Sequence, residues 1–221
     1  MIDICSLVLS LAGLVVGFYF LIELHYFLRI LLCVVGAKFF KKRKFILDKT
    51  LITGICLSTD IDYYLNHMNN ARYLRELDFA KIDFYERTGL YRNIVAKGGS
   101  LFAGATTIRY RRFIRVFSRY QISTKIIYWD NQNIYIEHKF ISSDKFINAI
   151  ALCRLRLVKC DADIIMKELI QDVPKNVEVE TTRRDKPELP SDLEKWIESN
   201  QISSDRLRQK DIIDEKEIEK V

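Results

Sequence analysis

Residues Asp60 to Leu74 hold the side chains best suited to chemistry. Asp60, Asp62, Asn66, His67, Asn69 and Asn70 crowd one short turn, which then runs into a helical pattern. His67 is one of only three histidines in the 221-residue chain. Asn69 or Asn70 suits the helix N-cap, where a short side-chain oxygen accepts from a first-turn amide. Beyond it Tyr73, Leu77, Ala80 and Phe84 recur at one helix face. A polar cluster just ahead of a helix N-terminus faces free N–H groups and partial positive charge, which suits a developing oxyanion. The same residue types also serve as plain turn formers and caps.

The resemblance of this turn to a known thioesterase element, set out below, implies acyl transfer from sulfur. A thiol leaves with a pKa of about 8–9, so strong acid assistance is not essential. What is needed is a carboxylate to activate water or attack directly, and donors for the carbonyl oxygen. Asp62 is the preferred carboxylate and Asp60 the alternative. His67 is a candidate for orienting water or the thioester, and Asn66 and Asn70 for donating to the carbonyl or holding the acid, with Asn69 as the cap. Glu76, between Arg72 and Arg75, reads as an exposed, salt-bridged helix face. Arg109, Arg111 and Arg112 offer guanidinium groups for phosphates, as does Arg115, or else form a charged strand edge. His138 shares a strand face with Ile136 and Phe140 and reads as core.

The elements that must position these groups follow from pattern. Lys49 to Ser58 reads as a strand, and a helix runs to Thr88 and ends at Gly89. Tyr91 to Gly99 reads as a loop. Four alternating runs follow: Leu101–Ile114, Tyr120–Trp129, Ile134–Ile141 and Phe146–Val158. Asp130–Asn133 and Ser142–Asp144 supply turns. One long helix with an antiparallel sheet is α+β. Asp161 opens a short helix to Gln171, a polar linker spans Pro174 to Pro190, and Ser191 and Glu194 have capping-box spacing before a last helix. From about Gln209 the tail is charged and expected to fray.

The front of the chain differs. Ile4 to Ile22 carries no charge, about the length a helix needs to cross a bilayer core. Leu24 to Phe40 remains apolar around Arg29 and reads as a continuation in the membrane interface, with Tyr26 and Phe27 suited to that depth. Lys41 to Lys44 ends the run. Positive charge after the span places the remainder on the cytoplasmic side, with the endoplasmic reticulum as the expected membrane. A cleaved signal peptide and secretion form the rival reading. It wants a basic start, whereas the chain opens Met1-Ile2-Asp3, and no Asn-x-Ser/Thr sequon occurs. The expected organisation is 1–44 anchor and basic flank, 45–172 α+β domain, 173–209 linker and helix packing on the domain, and 210–221 charged tail.

Composition narrows the class. Thirty-five Lys and Arg against 29 Asp and Glu leave +6, which fits an anionic partner such as lipid or a CoA phosphate. No nucleic-acid motif appears, so nucleic acid is not an expected partner. Five cysteines without a Cys-x-x-Cys read as reduced thiols, and no metal site or cofactor is expected.

Asp62 with His67-Met68-Asn69-Asn70-Ala71-Arg72-Tyr73-Leu74 resembles the Asp…His-x-Asn-Asn-x-x-Tyr element of hotdog-fold thioesterases, the 4-hydroxybenzoyl-CoA and acyl-ACP thioesterase group. In one subfamily the likeness extends through Arg75 to Ala80, to Arg109-Tyr110-Arg111-Arg112, and to Pro187-Glu188-Leu189-Pro190 and Trp196-Ile197, covering roughly 45–209. Asp62 lies one residue further from His67 than is usual in the group. The resemblance implies an antiparallel sheet around one central helix, hydrolysis of acyl-CoA or another acyl thioester, no cofactor beyond the CoA of the substrate, and a homodimer or larger assembly. It implies roles for Asp62 and His67, and in another branch the catalytic carboxylate lies on the helix, at Glu76 here.

Overall fold

The computed structural model describes residues 3–62, 64, 66–171, 173, 177–179 and 184–218. It divides into two compact units, Met1–Arg184 and Asp185–Val221. The first holds helices α1 (Ile4–Ile22), α2 (Leu24–Val35), α3 (Asn70–Thr88), α4 (Leu90–Ala96) and α5 (Ala162–Gln171). Its strands are β1 (Arg43–Lys44), β2 (Thr50–Ile55), β3 (Ser100–Tyr110), β4 (Arg119–Trp129), β5 (Asn133–Ser142), β6 (Ile147–Val158) and β7 (Val177–Glu178).

Five strands form one antiparallel sheet in the order β2-β4-β5-β6-β3, and α3 lies along its inner face. This is the α+β hotdog arrangement that the resemblance implies. Asn69 caps α3, accepting from the Ala71 amide at 2.9 Å, and Gly89 ends it at φ 77°, a left-handed conformation that suits glycine. Tyr73, Leu77, Ala80 and Phe84 are all buried. Two apolar clusters share the helix. One gathers Phe84, Ile126, Trp129, Ile136 and Leu155 with α5. The other gathers Met68, Tyr73, Leu77, Ile122, Phe140 and Ala151. Trp129 is an anchor in the first, with its indole N–H on Asp163 at 2.8 Å.

β5 and β6 alternate as their patterns require, with Ile134, Ile136, His138 and Phe140 inward on one and Ala149, Ala151, Cys153, Leu155 and Leu157 inward on the other. β3 departs from the pattern. Among the described residues it pairs only with β6, and it is exposed or half-exposed along both faces, Phe102 included.

Other expectations are corrected. Tyr91–Ala96 is helical rather than a loop, because Leu90 and Ile94, four apart, bury one face of α4. Gly99 then passes so close to Cys160 that an added Cβ would meet its Sγ at 2.3 Å. In the second unit, α6 (Ser191–Ile218) begins with Ser191 already helical. Pro190 O accepts from the Glu194 amide, so the expected capping box does not form. The helix continues past Gln209 instead of fraying, since the segment carries no Gly or Pro to stop it. Of the expected linker, residues 174–176 and 180–183 lie outside the described residues, as does residue 172 at the expected domain boundary.

No one helix among the described residues is long and apolar enough to cross a membrane. Ile4–Tyr19 and Leu24–Phe40 meet that test only as a pair, bent by 77°. The bend falls at Glu23, which adopts φ 46° while Arg75 of α3 grips its carboxylate. α2 then packs along α3, and a π-helical turn, Gly36–Phe40, follows it. Tyr26, expected to face lipid, turns inward: its hydroxyl donates to Asp78 at 3.2 Å, its ring meets Phe79, and Arg75 lies over it at 4.3 Å.

His138 is the one imidazole sealed beneath α3. Its Nδ1 lies 2.9 Å from Thr124 Oγ1. Burial, aided by the nearby Lys81 charge, pushes its pKa down to about 3. Below the unfolded value of about 6.5, the unfolded chain therefore binds a proton that the folded chain refuses. Stability is full above that value and falls as pH drops toward 3, by at most about 1.4 kcal/mol per pH unit. Urea midpoints measured against pH in detergent will show this slope in the parent, and it will be reduced by one proton in His138→Gln.

Candidate functional site

The turn before α3 is built by short backbone bonds. The Asp62 amide donates to His67 O at 2.8 Å, and Ile61 and Met68 form a bridge, closing a small hairpin. Asn66 holds φ 51° at its tip, a left-handed conformation that asparagine tolerates. Tyr63 and Leu65 lie outside the described residues. The Asn69 amide donates to Asp60 O at 2.8 Å, tying the hairpin to the helix start.

The two candidate acids differ in what they hold. Asp60 is buried. Its Oδ2 accepts from the Leu57 amide at 2.9 Å, capping the 3-10 turn Ser58–Asp60, and its Oδ1 lies 3.9 Å from Arg72 Nε. Asp62 is half-buried, and its Oδ1 takes only a 3.3 Å bond from the Tyr64 amide among the described residues. Asp62 is therefore the carboxylate with capacity left.

At the helix start, Asn69 satisfies the Ala71 amide with its side chain and the Arg72 amide with its carbonyl. The Asn70 amide has no acceptor among the described residues, which makes it the open donor of the first turn. The Asn70 side chain is exposed, and its carbonyl accepts from Tyr110 OH at 3.1 Å.

His67 is buried with Nδ1 3.1 Å from Met68 O, and since a carbonyl oxygen only accepts, Nδ1 is the donor of that bond. Nε2 has no partner among the described residues. Phe113 stacks on the imidazole at 4.0 Å and 6°.

Phe113 belongs to the segment after β3, which turned out to be the turn's second wall. Ile114 O accepts from the Met68 amide at 2.8 Å, Arg115 bridges His67, and the Val116 amide donates to Asn66 O. Sequence reasoning missed Phe113 as a neighbour of the site and weighed Arg115 only as one of four arginines. The alternation of aromatic and basic residues across Arg111 to Arg119 was the available signal. A cleft of about 470 Å³ shares Phe113 as a wall and is lined also by Arg115, Arg119, Ser143 and Asn148.

The three predicted phosphate-binding arginines are in different states. Arg109 is exposed on β3, the edge strand beside β6. Arg111 donates to Ile147 O at 3.2 Å and lies 4.9 Å from the Phe146 ring. Arg112 is already engaged, bonding Asp144 at 2.7 Å and Ser142 at 2.6 Å. A hydrogen bond donated by the Ser142 hydroxyl, and next the Arg112 guanidinium, hold the Asp144 carboxyl down at about 2.

Glu76 overturns its expectation. It is not an exposed face partner of Arg72 and Arg75 but is 3% exposed. Arg29 of α2 pairs with both its oxygens, and Tyr120 OH donates to Oε2 at 2.7 Å. Burial, then the neighbouring Glu76 carboxylate, drives the Tyr120 hydroxyl well above its ordinary range. Further along the same helix side, Lys41 pairs with buried Asp83, and Arg87 Nε donates to Lys42 O at 2.9 Å.

A sheet-wrapped helix with an acid-bearing turn at its N-terminus defines the thioesterase-like class. Residues 56–197 match the profile of the thioesterase-like superfamily, and the chain belongs to that superfamily. The match begins beyond α1, α2 and β2. Within the superfamily the chain is similar to the protein THEM6 of Drosophila melanogaster, 40% identical over 191 residues, 86% of this chain and 93% of that one. THEM6 of Danio rerio is 35% identical over 195 residues, 88% of this chain and 91% of its own. The probable thioesterase YbaW of Escherichia coli superposes with a TM-score of 0.49 at 20% identity, over 59% of this chain and 98% of that one.

Arg29→Met will leave a buried carboxylate without its countercharge. Breaking such a pair costs about 3–5 kcal/mol when both partners are buried. Arg29 is 37% exposed, so water screens the pair and about 2–3 kcal/mol is expected. The double variant Arg29→Met/Glu76→Gln will recover most of the loss, since it removes the uncompensated charge. Urea unfolding of the full chain in detergent checks both.

Proposed function

We propose that this chain is a membrane-anchored acyl-thioester hydrolase acting on fatty acyl-CoA, with the domain on the cytoplasmic face of the endoplasmic reticulum. The observation that carries the reading is the Asp62 carboxylate. It stands in the turn ahead of α3 with spare hydrogen-bonding capacity, close in sequence to an open first-turn amide, while Asp60 is committed to the fold.

In this mechanism Asp62 takes a proton from a water whose oxygen attacks the thioester carbonyl carbon. The resulting oxyanion is held by the Asn70 amide. Its collapse breaks the C–S bond and releases the fatty acid and CoA thiolate, which takes up the proton. Direct attack by Asp62, giving an anhydride that water then opens, uses the same geometry. Buried His67 fixes the turn through Met68 O and Phe113, and Asn66 marks its mouth. Arg109 and Arg111 are the phosphate contacts, with Arg112 holding the neighbouring Ser142–Asp144 turn. Membrane lipid is the partner of the uncharged helix α1. A homodimer is supported by β3, eleven residues long with one edge unpaired among the described residues. No cofactor enters beyond the CoA of the substrate.

A second reading is favoured by Glu76. The carboxylate at the helix position used by another branch is captured by Arg29 and Tyr120, so it cannot serve as a base. If Asp62 is also inactive, the chain is a silent hotdog that binds acyl lipid or scaffolds membrane partners.

The deciding assay uses the full chain in detergent against short to long acyl-CoAs. Asp62→Asn will lower turnover by about 10²–10⁴-fold with its unfolding midpoint unchanged. Asp60→Asn will instead lower stability by about 1–3 kcal/mol and keep turnover. Absence of turnover in the parent across the whole panel selects the silent reading.

A further inference from the structure

α2 is used on both sides. Its inner face, Tyr26, Arg29, Ile30, Cys33 and then Ala37, packs on α3. These positions are three and four apart, one face of a helix. Its outer face carries Leu24, Phe27, Leu28, Leu31 and Leu32, all exposed, with Leu32 at 61%. The π-helical turn that follows presents Phe39 at 69% and Phe40 at 83%. The one residue of α2 with a permanent charge, Arg29, is drawn inward to Glu76, which leaves the outer face without one.

Three observations say what covers that face. It continues directly from α1, which has no charged residue from Ile4 to Ile22 and exposes Leu7, Leu11, Val15 and Phe18. Such a helix suits lipid rather than a protein stripe. Cations stand at the far end of the face, exposed Lys38 beside the Phe39 ring and exposed Lys42 beyond it, where anionic headgroups would lie. And α2 is fastened to the domain by Arg29–Glu76, Arg75–Glu23 and Tyr26–Asp78, with Lys41–Asp83 just beyond it, so its outer face is held in one orientation.

We infer that α2 and the turn Gly36–Phe40 lie flat in the bilayer interface as a rigid floor of the domain, so that sheet, α3, α2 and membrane stack in that order. The domain is then not a body swinging on a flexible tether. Its central helix runs above the membrane at a fixed height, with the polar, ion-paired side of α3 turned toward the lipid and screened from it by α2. This inference rests on the membrane-anchoring reading above and adds orientation to it.

The test reconstitutes the full chain in phosphatidylcholine vesicles containing phosphatidylserine, with tryptophan introduced singly as Leu28→Trp, Leu31→Trp, Phe39→Trp or, in α1, Leu11→Trp. The parent signal from Trp129 and Trp196 is subtracted, and lipids brominated high or low on the acyl chain act as quenchers. The three α2-region probes will lose fluorescence equally and chiefly to the high-brominated lipid, while the α1 probe will lose most to the low-brominated one. Quenching of the α1 probe alone overturns the inference and leaves the anchor standing. A depth gradient along α2 overturns it in favour of a spanning helix. No quenching at any probe overturns the anchor as well. As a second arm, Leu28→Lys/Leu32→Lys in the Phe39→Trp background will reduce quenching at Phe39→Trp, and an unchanged signal there also overturns the inference.

Discussion

Glu76 is a carboxylate in the middle of a helix wrapped by a sheet, where an unpaired charge would cost several kcal/mol. It is tolerated because Arg29 reaches it from α2 and Tyr120 from β4. That single arrangement ties three separate parts of the chain together. It fixes α2 on α3, turns the cation of α2 away from its outer face, and holds the Tyr120 ring so tightly over Gly54 that an added Cβ there would meet it at 2.5 Å. β2, β4, α3 and α2 are thereby one packed body.

The candidate chemistry sits at the other end of this logic. The turn from Asp60 to Asn70 is specified by backbone bonds between near neighbours, and its two aspartates are sorted by what each already holds. Asp60 caps and Asp62 does not. The helix supplies an open amide there because Asn69 satisfies its own first turn and no more. The wall formed by Phe113 to Val116 comes from far along the chain and stacks Phe113 on the buried His67 imidazole.

Much of this was legible before any coordinates. The α3 stripe, its Asn69 cap and Gly89 stop, the alternation in β5 and β6 and the place of the acid turn all depend on contacts within a few residues. Their periodicity or spacing carries the information directly. α4 was missed because two apolar positions, Leu90 and Ile94, are too few to distinguish a short helix from a loop. The length of α6 was missed because a charged sequence without breakers reads equally as helix or tail.

By itself the sequence determined an α+β domain of antiparallel strands on one helix, an acid-rich turn at that helix's start, and an uncharged apolar front. Only the tertiary structure decided which way Glu76 faces, which aspartate is spare, that Tyr26 turns inward, and that the front bends at Glu23 to lay α2 on α3. The reason is physical. Period and capping are energies between neighbours in the chain, whereas the side a charged residue takes depends on a partner that arrives from a remote segment. Arg29 lies far from Glu76 in sequence, and no local pattern marks the pair.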